Sequence, residues 1–133
     1  MNAFIHLHRV SQPQKALFMD PRREAFFDDM GKAMAREGIL RLAWVESRGK
    51  PIASVVSFVY GKTWGLYNSG FDPEYREFSP GIVLVAHTIQ RAIEEGLEVY
   101  DFLRGPEPYK YDFGAKDRDL FRLRLSPRRR NDS

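Results

Sequence analysis

The sequence predicts an α+β domain in which an antiparallel meander of strands is flanked by helices. Residues 39–71 contain three runs rich in β-branched and aromatic side chains, separated by two glycine-containing turns. Apolar residues at helical spacing precede these runs and return at residues 82–93. The chain has 133 residues, of which 43% are hydrophobic, so it is long enough for one domain with its own core.

The N-terminal part of the chain predicts two helices. Apolar residues recur at helical spacing over residues 2–10, which we interpret as the end of a helix, and residues 11–19 are interpreted as a loop. Asp20-Pro21 is a strong start signal, because it combines an N-cap acceptor with proline at the first helical position. This second helix is expected to run to Glu37 and to end at Gly38.

The middle of the chain predicts the meander. Strands are expected at residues 39–46, 51–60 and 63–71, joined by turns at Arg48-Gly49-Lys50 and Gly61-Lys62.

The remaining elements follow in sequence. Residues 72–78 are interpreted as an irregular connection, residues 79–95 as an amphipathic helix and residues 98–103 as a fourth strand. Residues 104–116 form a loop rich in glycine, proline and aromatic residues. The alternation of apolar and charged residues at 120–125 predicts a last, half-exposed strand.

The composition excludes several classes of site. The chain has no cysteine, which rules out disulfides, thiolate nucleophiles and Cys-ligated metals. No carboxylate–histidine group has metal-ligand spacing, so a metal site is not expected. No apolar run approaches ~18 residues, and the first residues lack a signal-peptide pattern. We therefore expect a cytoplasmic protein without a membrane span.

The net charge of +3 comes from the C-terminal end of the chain. Residues 116–133 carry seven basic and three acidic side chains, whereas residues 1–115 sum to −1. A run such as Arg128-Arg129-Arg130 could contact a polyanion, but terminal runs of this kind are more often solvated and poorly ordered. We interpret residues 126–133 as a disordered tail and do not expect nucleic-acid binding.

The junction before the amphipathic helix is a candidate anion site. Free backbone N–H groups and the positive end of the helix dipole meet there, and Gly81 would let a ligand approach the backbone. Pro80 presets the first turn, and Arg76 could add charge against a phosphate. The alternative is that Ser79 only caps the helix and Arg76 is a surface residue.

Two stretches resemble a known family. Arg76-x-x-Ser79-x-Gly81 resembles the Gln/Arg-x-x-Gly-x-Gly/Ala motif of the GCN5-related N-acetyltransferases (GNAT), with Ser79 in place of the first glycine. Residues 100–115, YDFLRGPEPYKYDFGA, resemble the signature of CelD-type acetyltransferases, which are GNAT-fold proteins related to FemAB-type aminoacyl transferases. Gly70-Phe71-Asp72-Pro73 agrees with the same pattern.

The resemblance implies a GNAT fold with a mixed central sheet and acetyl-CoA, or another acyl-CoA, as co-substrate. In that fold the strands at residues 63–71 and 98–103 splay apart, and acyl-CoA enters the gap. Gly70 is expected to mark a bulge that frees a backbone N–H for the acyl carbonyl. The implied cofactor-binding residues are Gly70, Phe71, Arg76, Ser79, Pro80 and Gly81.

The resemblance also implies direct attack of an amine on the thioester. Tyr109 is the candidate proton donor to the leaving thiolate, and Asp101 the candidate that orients or deprotonates the amine. Lys110 and Arg104 are the candidate substrate-binding residues. The alternatives are that Asp101 caps loop amides and that Tyr109 is a packed aromatic residue.

The resemblance leaves the donor, the acceptor and the assembly open. The acceptor would be a small-molecule, sugar or peptide amine. Two further functions fit the fold: transfer from aminoacyl-tRNA, and a non-catalytic partner domain. We expect one domain at residues 1–125. Because CelD-type and FemAB-type proteins generally carry two such domains and this chain matches the C-terminal one, we also expect a homodimer or a missing N-terminal neighbour.

Overall fold

A four-stranded sheet with helices on both faces forms the structure, which is a computed structural model describing residues 1–127. The strands are β1 (Leu40–Ser47), β2 (Lys50–Tyr60), β3 (Thr63–Phe71) and β4 (Val99–Asp101). The helices are α1 (Asn2–Ser11), α2 (Pro13–Phe18), α3 (Pro21–Arg36), α4 (Pro80–Glu94) and α5 (Pro108–Asp112), with a 3₁₀ helix at Pro73–Phe78.

The sheet is mixed, with the strands in the order β1-β2-β3-β4. The three strands of the predicted meander pair antiparallel, and β4 pairs parallel to β3. Only three residue pairs join these last two strands, from Thr63↔Val99 to Gly65↔Asp101. The predicted GNAT-type sheet is confirmed, although β4 is shorter than the predicted strand at residues 98–103.

One face of the sheet is covered by α1 and α3. Side chains of these helices, of β2 and of the residue that follows α2 form a buried cluster of Phe4, Ile5, Met19, Phe27 and Val56. The start of α3 is the predicted one: the Asp20 carboxylate accepts a hydrogen bond from the Arg23 N–H at 2.8 Å, and Pro21 follows it. Helix α1 is attached to the end of β3, because the Ser11 hydroxyl accepts from the Phe71 N–H at 2.7 Å.

The other face is covered by α4 and α5. Its cluster includes Ala53, Val55, Leu66, Leu84 and Val85. Successive residues of β2, Val55 and Val56, therefore pack on opposite faces of the sheet, as strand geometry requires. Tyr100, Phe102, Tyr109 and Phe113 extend this cluster towards α5.

Three of the predicted connections differ from the structure. The loop expected at residues 11–19 contains α2, the irregular connection contains the 3₁₀ helix, and the loop at residues 104–116 contains α5. The last strand, predicted at residues 120–125, is wrong: these residues have no regular structure. Of the predicted basic tail, residues 128–133 lie outside the described part of the chain.

The sequence predicts no membrane-spanning segment, and the helices can be compared with this prediction by length and hydropathy. Across residues 1–127, none of the helices combines the length and the apolarity needed to cross a bilayer.

Candidate functional site

A cavity of about 530 Å³ opens where β3 and β4 separate. Pairing between the two strands stops at Gly65 and Asp101, whereas β3 continues to Phe71. The unpaired half of β3 therefore forms one wall of the cavity, and Leu66, Tyr67, Asn68, Ser69 and Phe71 all line it. The remaining walls come from α2, the N-terminus of α4, and the segment from Phe102 to Lys110.

The N-terminus of α4 faces this cavity with its first turn open. Ser79 adopts the left-handed conformation, at φ 46° and ψ 53°, and its side chain makes no capping hydrogen bond to the helix. The side-chain cap of the alternative prediction is therefore absent, whereas Arg76 is exposed, as that alternative expects. A Cβ added at Gly81 would meet no described atom within 4 Å, so glycine keeps the space before the backbone clear. Uncapped N–H groups and the helix dipole make this turn suited to an anion.

Positively charged side chains border the same cavity. Arg76 lies on the 3₁₀ helix before Ser79, and Lys15 lies on α2. The Lys15 ammonium donates to the Ser69 carbonyl at 3.0 Å. Burial lowers its pKa below the usual 10.5, partly offset by the charge of Glu107. The cavity therefore combines a helix N-terminus with two cationic side chains from different elements, which fits an anionic ligand.

The segment after β4 is held in place by Lys110. This side chain is only 8% exposed, and its ammonium donates to the carbonyls of Arg104 at 2.8 Å and Gly105 at 3.1 Å. It also forms an ion pair with Glu107 at 2.7 Å. This hydrogen bond and charge lower the pKa of the Glu107 carboxyl. The ammonium of Lys110 is thus largely occupied by its own loop.

Tyr109 is half-buried and lines the cavity. Its ring packs edge-on against Phe102, with the ring centroids 6.2 Å apart. Burial raises the pKa of the Tyr109 phenol, and the Glu107 carboxylate raises it further. Because both effects favour the neutral phenol, Tyr109 holds a proton that it can donate within the cavity.

The family of the chain is shown by a match that covers most of its sequence. A family model for an acetyltransferase (GNAT) domain matches residues 1–111. The chain belongs to the GNAT acetyltransferase family. It is thus an N-acetyltransferase by family, and this family uses acetyl-CoA as co-substrate.

Solved structures show the same GNAT fold. A protein from Agrobacterium tumefaciens C58, to which acetyltransferase activity is attributed, aligns with a TM-score of 0.67 at 19% identity over 93% of this chain and 92% of that one. The aminoglycoside acetyltransferase meta-AAC0020 from an uncultured soil metagenomic sample, in complex with sisomicin, has a TM-score of 0.62 at 17% identity, covering 94% and 88%. The PaiA N-acetyltransferase from Thermoplasma acidophilum, in complex with coenzyme A, has a TM-score of 0.60 at 11% identity, covering 85% and 80%. No curated protein sequence matches the chain significantly.

Most of the predicted site residues of this GNAT domain meet in the one cavity. It is lined by Phe71, Arg76, Ser79, Pro80, Gly81, Arg104, Tyr109 and Lys110. They come from three separate parts of the chain, and the splaying of β3 from β4 brings them together.

Asp101 does not line this cavity. It lies on a second cavity, of about 660 Å³, beside β4. Its carboxylate accepts a hydrogen bond from the Leu103 N–H at 2.7 Å, where Leu103 adopts the left-handed conformation at φ 57°. The structure thus gives Asp101 the contact expected of the alternative prediction, a cap on loop amides that sets the turn leading to Arg104.

Gly70 also lies away from the cavity, and the bulge predicted there is wrong. Gly70 pairs regularly with Ser54, whereas the register shift falls between Val56 and Ser57 and leaves Tyr67 as the extra residue of β3. An added Cβ at Gly70 would lie 2.6 Å from the His8 Cα. Gly70 is therefore required for the close approach of α1 to β3.

Lys15 is the functional candidate that sequence reasoning missed. It lies in a segment interpreted as a loop, 54 residues before Ser69, whose carbonyl it contacts. The start signal of α2, Pro13 at the first helical position, was available in the sequence. No local pattern links Lys15 to β3.

Metal binding finds no support among the described side chains. Within residues 1–127, no group of three or more His, Asp or Glu side chains is placed to hold a metal ion.

Proposed function

We propose that this GNAT domain transfers an acetyl group from acetyl-CoA to a small amine by direct attack. The observation that carries the proposal is the open N-terminus of α4, where the space before Gly81 is empty and the Ser79 side chain caps nothing. Both features leave the backbone N–H groups free to bind the pyrophosphate of coenzyme A. Arg76 would add a charge-assisted contact to the same group.

The proposed chemistry needs one proton acceptor and one proton donor. The amine nitrogen attacks the thioester carbonyl, the C–N bond forms, and the C–S bond breaks. The departing thiolate takes the phenolic proton of Tyr109, and the amine releases its proton to solvent. Solvent then reprotonates the phenolate. The raised pKa of Tyr109 keeps the donor form fully populated at neutral pH.

The acceptor is proposed to be a small amine. One structural neighbour is an aminoglycoside acetyltransferase in complex with sisomicin, which supports an amine of modest size. The cavity of about 530 Å³ falls within the range of small-molecule sites.

The finer assignment to the CelD type is also a proposal. It is supported by residues 100–115, which form β4, the segment after it and α5, and thus the wall that carries Tyr109 and Lys110. Because residues 100–115 shape a cavity wall, differences in this segment would change the substrate that a subfamily accepts.

Binding of acetyl-CoA is the test of the proposed function. Acetyl-CoA at about a hundred times its Kd should add about 2.7 kcal/mol to the free energy of unfolding. Gly81→Leu should abolish this stabilisation while the variant still folds, because its side chain enters open space before the helix. The matched control is Ala86→Leu, which places the same leucine side chain at an exposed position of α4 outside the cavity.

Two results would contradict the proposal. If neither acetyl-CoA nor any longer acyl-CoA stabilises the protein, the donor class is wrong. If Gly81→Leu binds acetyl-CoA as tightly as Ala86→Leu, the ligand is not held at the N-terminus of α4.

A further inference from the structure

The wall of the cavity formed by α2 and the β4–α5 segment carries more positive than negative charge. Lys15, Arg104 and Lys110 line it together with a single carboxylate, that of Glu107. This part of the cavity is distinct in sequence from the N-terminus of α4, which the proposed function assigns to the pyrophosphate. Its charges therefore need their own explanation.

The charges on this wall are only partly compensated. Glu107 forms an ion pair with Lys110 at 2.7 Å. The Lys110 ammonium also donates hydrogen bonds to the carbonyls of Arg104 and Gly105. The negative charge of the wall is thus already matched by a buried cation. Lys15 and Arg104 form no salt bridge within residues 1–127.

Lys15 is the more informative of the two cations, because it is half-buried. Its ammonium has a neutral acceptor, the Ser69 carbonyl at 3.0 Å. Burial lowers its pKa more than the charge of Glu107 raises it, which is the response of an ammonium that has lost water without gaining a full counter-charge. An anion bound beside Lys15 would restore that counter-charge.

We infer that the acceptor is an amine that also carries a carboxylate, such as an amino acid or a short peptide, and that Lys15 and Arg104 bind this carboxylate. The inference rests on the proposed function, since the amine must reach the thioester held at α4. Bound in this way, the carboxylate would fix the position of the amine, and Lys15 is a specificity-determining residue. A polycationic amine would meet Lys15 and Arg104 as like charges and is disfavoured.

The experiment compares amino acids and dipeptides supplied as free acids and as their carboxamides. The readout is coenzyme A release from acetyl-CoA, expressed as the ratio of kcat/KM for acid over amide, with spermidine as a polycationic amine. We expect the acids to be preferred by about tenfold or more, the size expected of a charge-assisted contact. Amidation lowers the basicity of the α-amine, so a larger fraction of the carboxamide is in the neutral form that attacks the thioester. This effect alone would favour the carboxamides, so a preference for the acids cannot be explained by amine basicity.

Lys15→Met tests the residue itself, because it keeps the apolar stem and removes the charge. The acid-to-amide ratio should fall to about one in Lys15→Met, while acetyl-CoA affinity stays unchanged. Lys32→Met, at an exposed position of α3, is the matched control and should keep the wild-type ratio.

The outcomes separate this inference from the proposed function. Failure to bind acetyl-CoA overturns the proposed function and the inference with it. Binding of acetyl-CoA combined with equal use of acids and amides, a preference for spermidine, or no transfer to the panel overturns the inference alone. A loss of acetyl-CoA affinity in Lys15→Met, with the ratio preserved, would assign Lys15 to the coenzyme and also overturn it.

Discussion

Tyr109 is the side chain whose position best fits proton transfer in the cavity. It is the half-buried phenol on the cavity wall, and burial and Glu107 both raise its pKa. We expect Tyr109→Phe to lower kcat about 10²-fold or more, because the ring still packs on Phe102 while the proton is lost. Steady-state kinetics combined with acetyl-CoA binding should show a kcat defect without a loss of affinity.

A second tyrosine on α5 provides the control for this change. The Tyr111 hydroxyl donates to the Asp117 carboxylate at 2.6 Å, and the residue does not line the cavity of about 530 Å³. Tyr111→Phe should therefore keep wild-type kcat. A Tyr109→Phe variant as active as Tyr111→Phe would mean that Tyr109 is only a packed aromatic residue.

Ser79 stands where the GNAT motif has its first glycine, and its backbone conformation shows why glycine suits this position. The position is left-handed, at φ 46°, a conformation that costs an L-residue roughly 1–2 kcal/mol and glycine almost nothing. We expect Ser79→Gly to raise the free energy of unfolding by up to about 1 kcal/mol, since the greater chain entropy of unfolded glycine offsets part of the relief. Urea denaturation would measure the change.

The alanine variant at the same position separates strain from capping. Ser79→Ala keeps the strained backbone and removes a hydroxyl that makes no capping bond, so its unfolding free energy should change by less than about 0.5 kcal/mol. A loss of about 1 kcal/mol, the usual cost of removing a helix cap, would show that the hydroxyl caps α4 in solution.

At this scale, the sequence predicts the position of residues whose signal is contiguous. Arg76, Ser79 and Gly81 lie within six positions, so their common place at a helix start could be predicted from local chemistry, and their role in binding stays a prediction. The contact of Lys15 with Ser69 depends on how α2 packs against β3, which no local pattern encodes. Asp101 stands at the end of a strand as predicted, but its carboxylate accepts a hydrogen bond from the Leu103 N–H.

At the scale of the elements, the packing of α1 against β3 depends on a glycine of β3, Gly70. Gly70 has space for no side chain, because an added Cβ would lie 2.6 Å from the His8 Cα and the Leu7 carbonyl carbon. The Ser11 hydroxyl on α1 accepts a hydrogen bond from the Phe71 N–H, so the helix cannot move away without losing this bond.

Gly70→Ala should therefore destabilise the fold by about 1–3 kcal/mol or more, as overpacking against backbone does. Gly81→Ala is the matched control, since it adds the same methyl group to open space and should not lower the unfolding free energy; the smaller chain entropy of unfolded alanine should raise it by up to about 1 kcal/mol. Urea denaturation of both variants measures the difference. Equal stability would mean that α1 does not pack against β3 as described.

The elements that were predicted well are those whose signals are local. Glycine turns and apolar alternation determine the meander, and Asp20-Pro21 determines the start of α3. None of the six residues of α2 is fully buried, so no apolar face marks the segment as a helix. The alternation at residues 120–125 is real, but a strand also needs a partner, and pairing is not encoded in the segment itself.

On the scale of the whole molecule, the described C-terminal segment contributes little to the core. Four of its apolar side chains are at least 81% exposed: Leu120, Phe121, Leu123 and Leu125. The buried clusters on the two faces of the sheet draw on residues 1–113. Exposed apolar side chains in one short segment are a common sign of an interaction surface. The predicted homodimer stays a prediction, and we expect this exposed apolar segment to contribute to it.

Deleting residues 119–133 tests both statements, and it retains Asp117, the partner of Tyr111. The free energy of unfolding should change by less than about 0.5 kcal/mol, because none of the described residues that are removed, 119–127, belongs to the buried clusters. Self-association, measured by light scattering over a range of concentrations, should weaken because the exposed apolar side chains are gone. The control is the full chain with Arg122→Gln and Arg124→Gln, which removes positive charge and keeps the apolar residues. A truncated protein that unfolds would show that the segment packs on the domain in solution. One that self-associates as strongly as the full chain would place the contact between copies elsewhere.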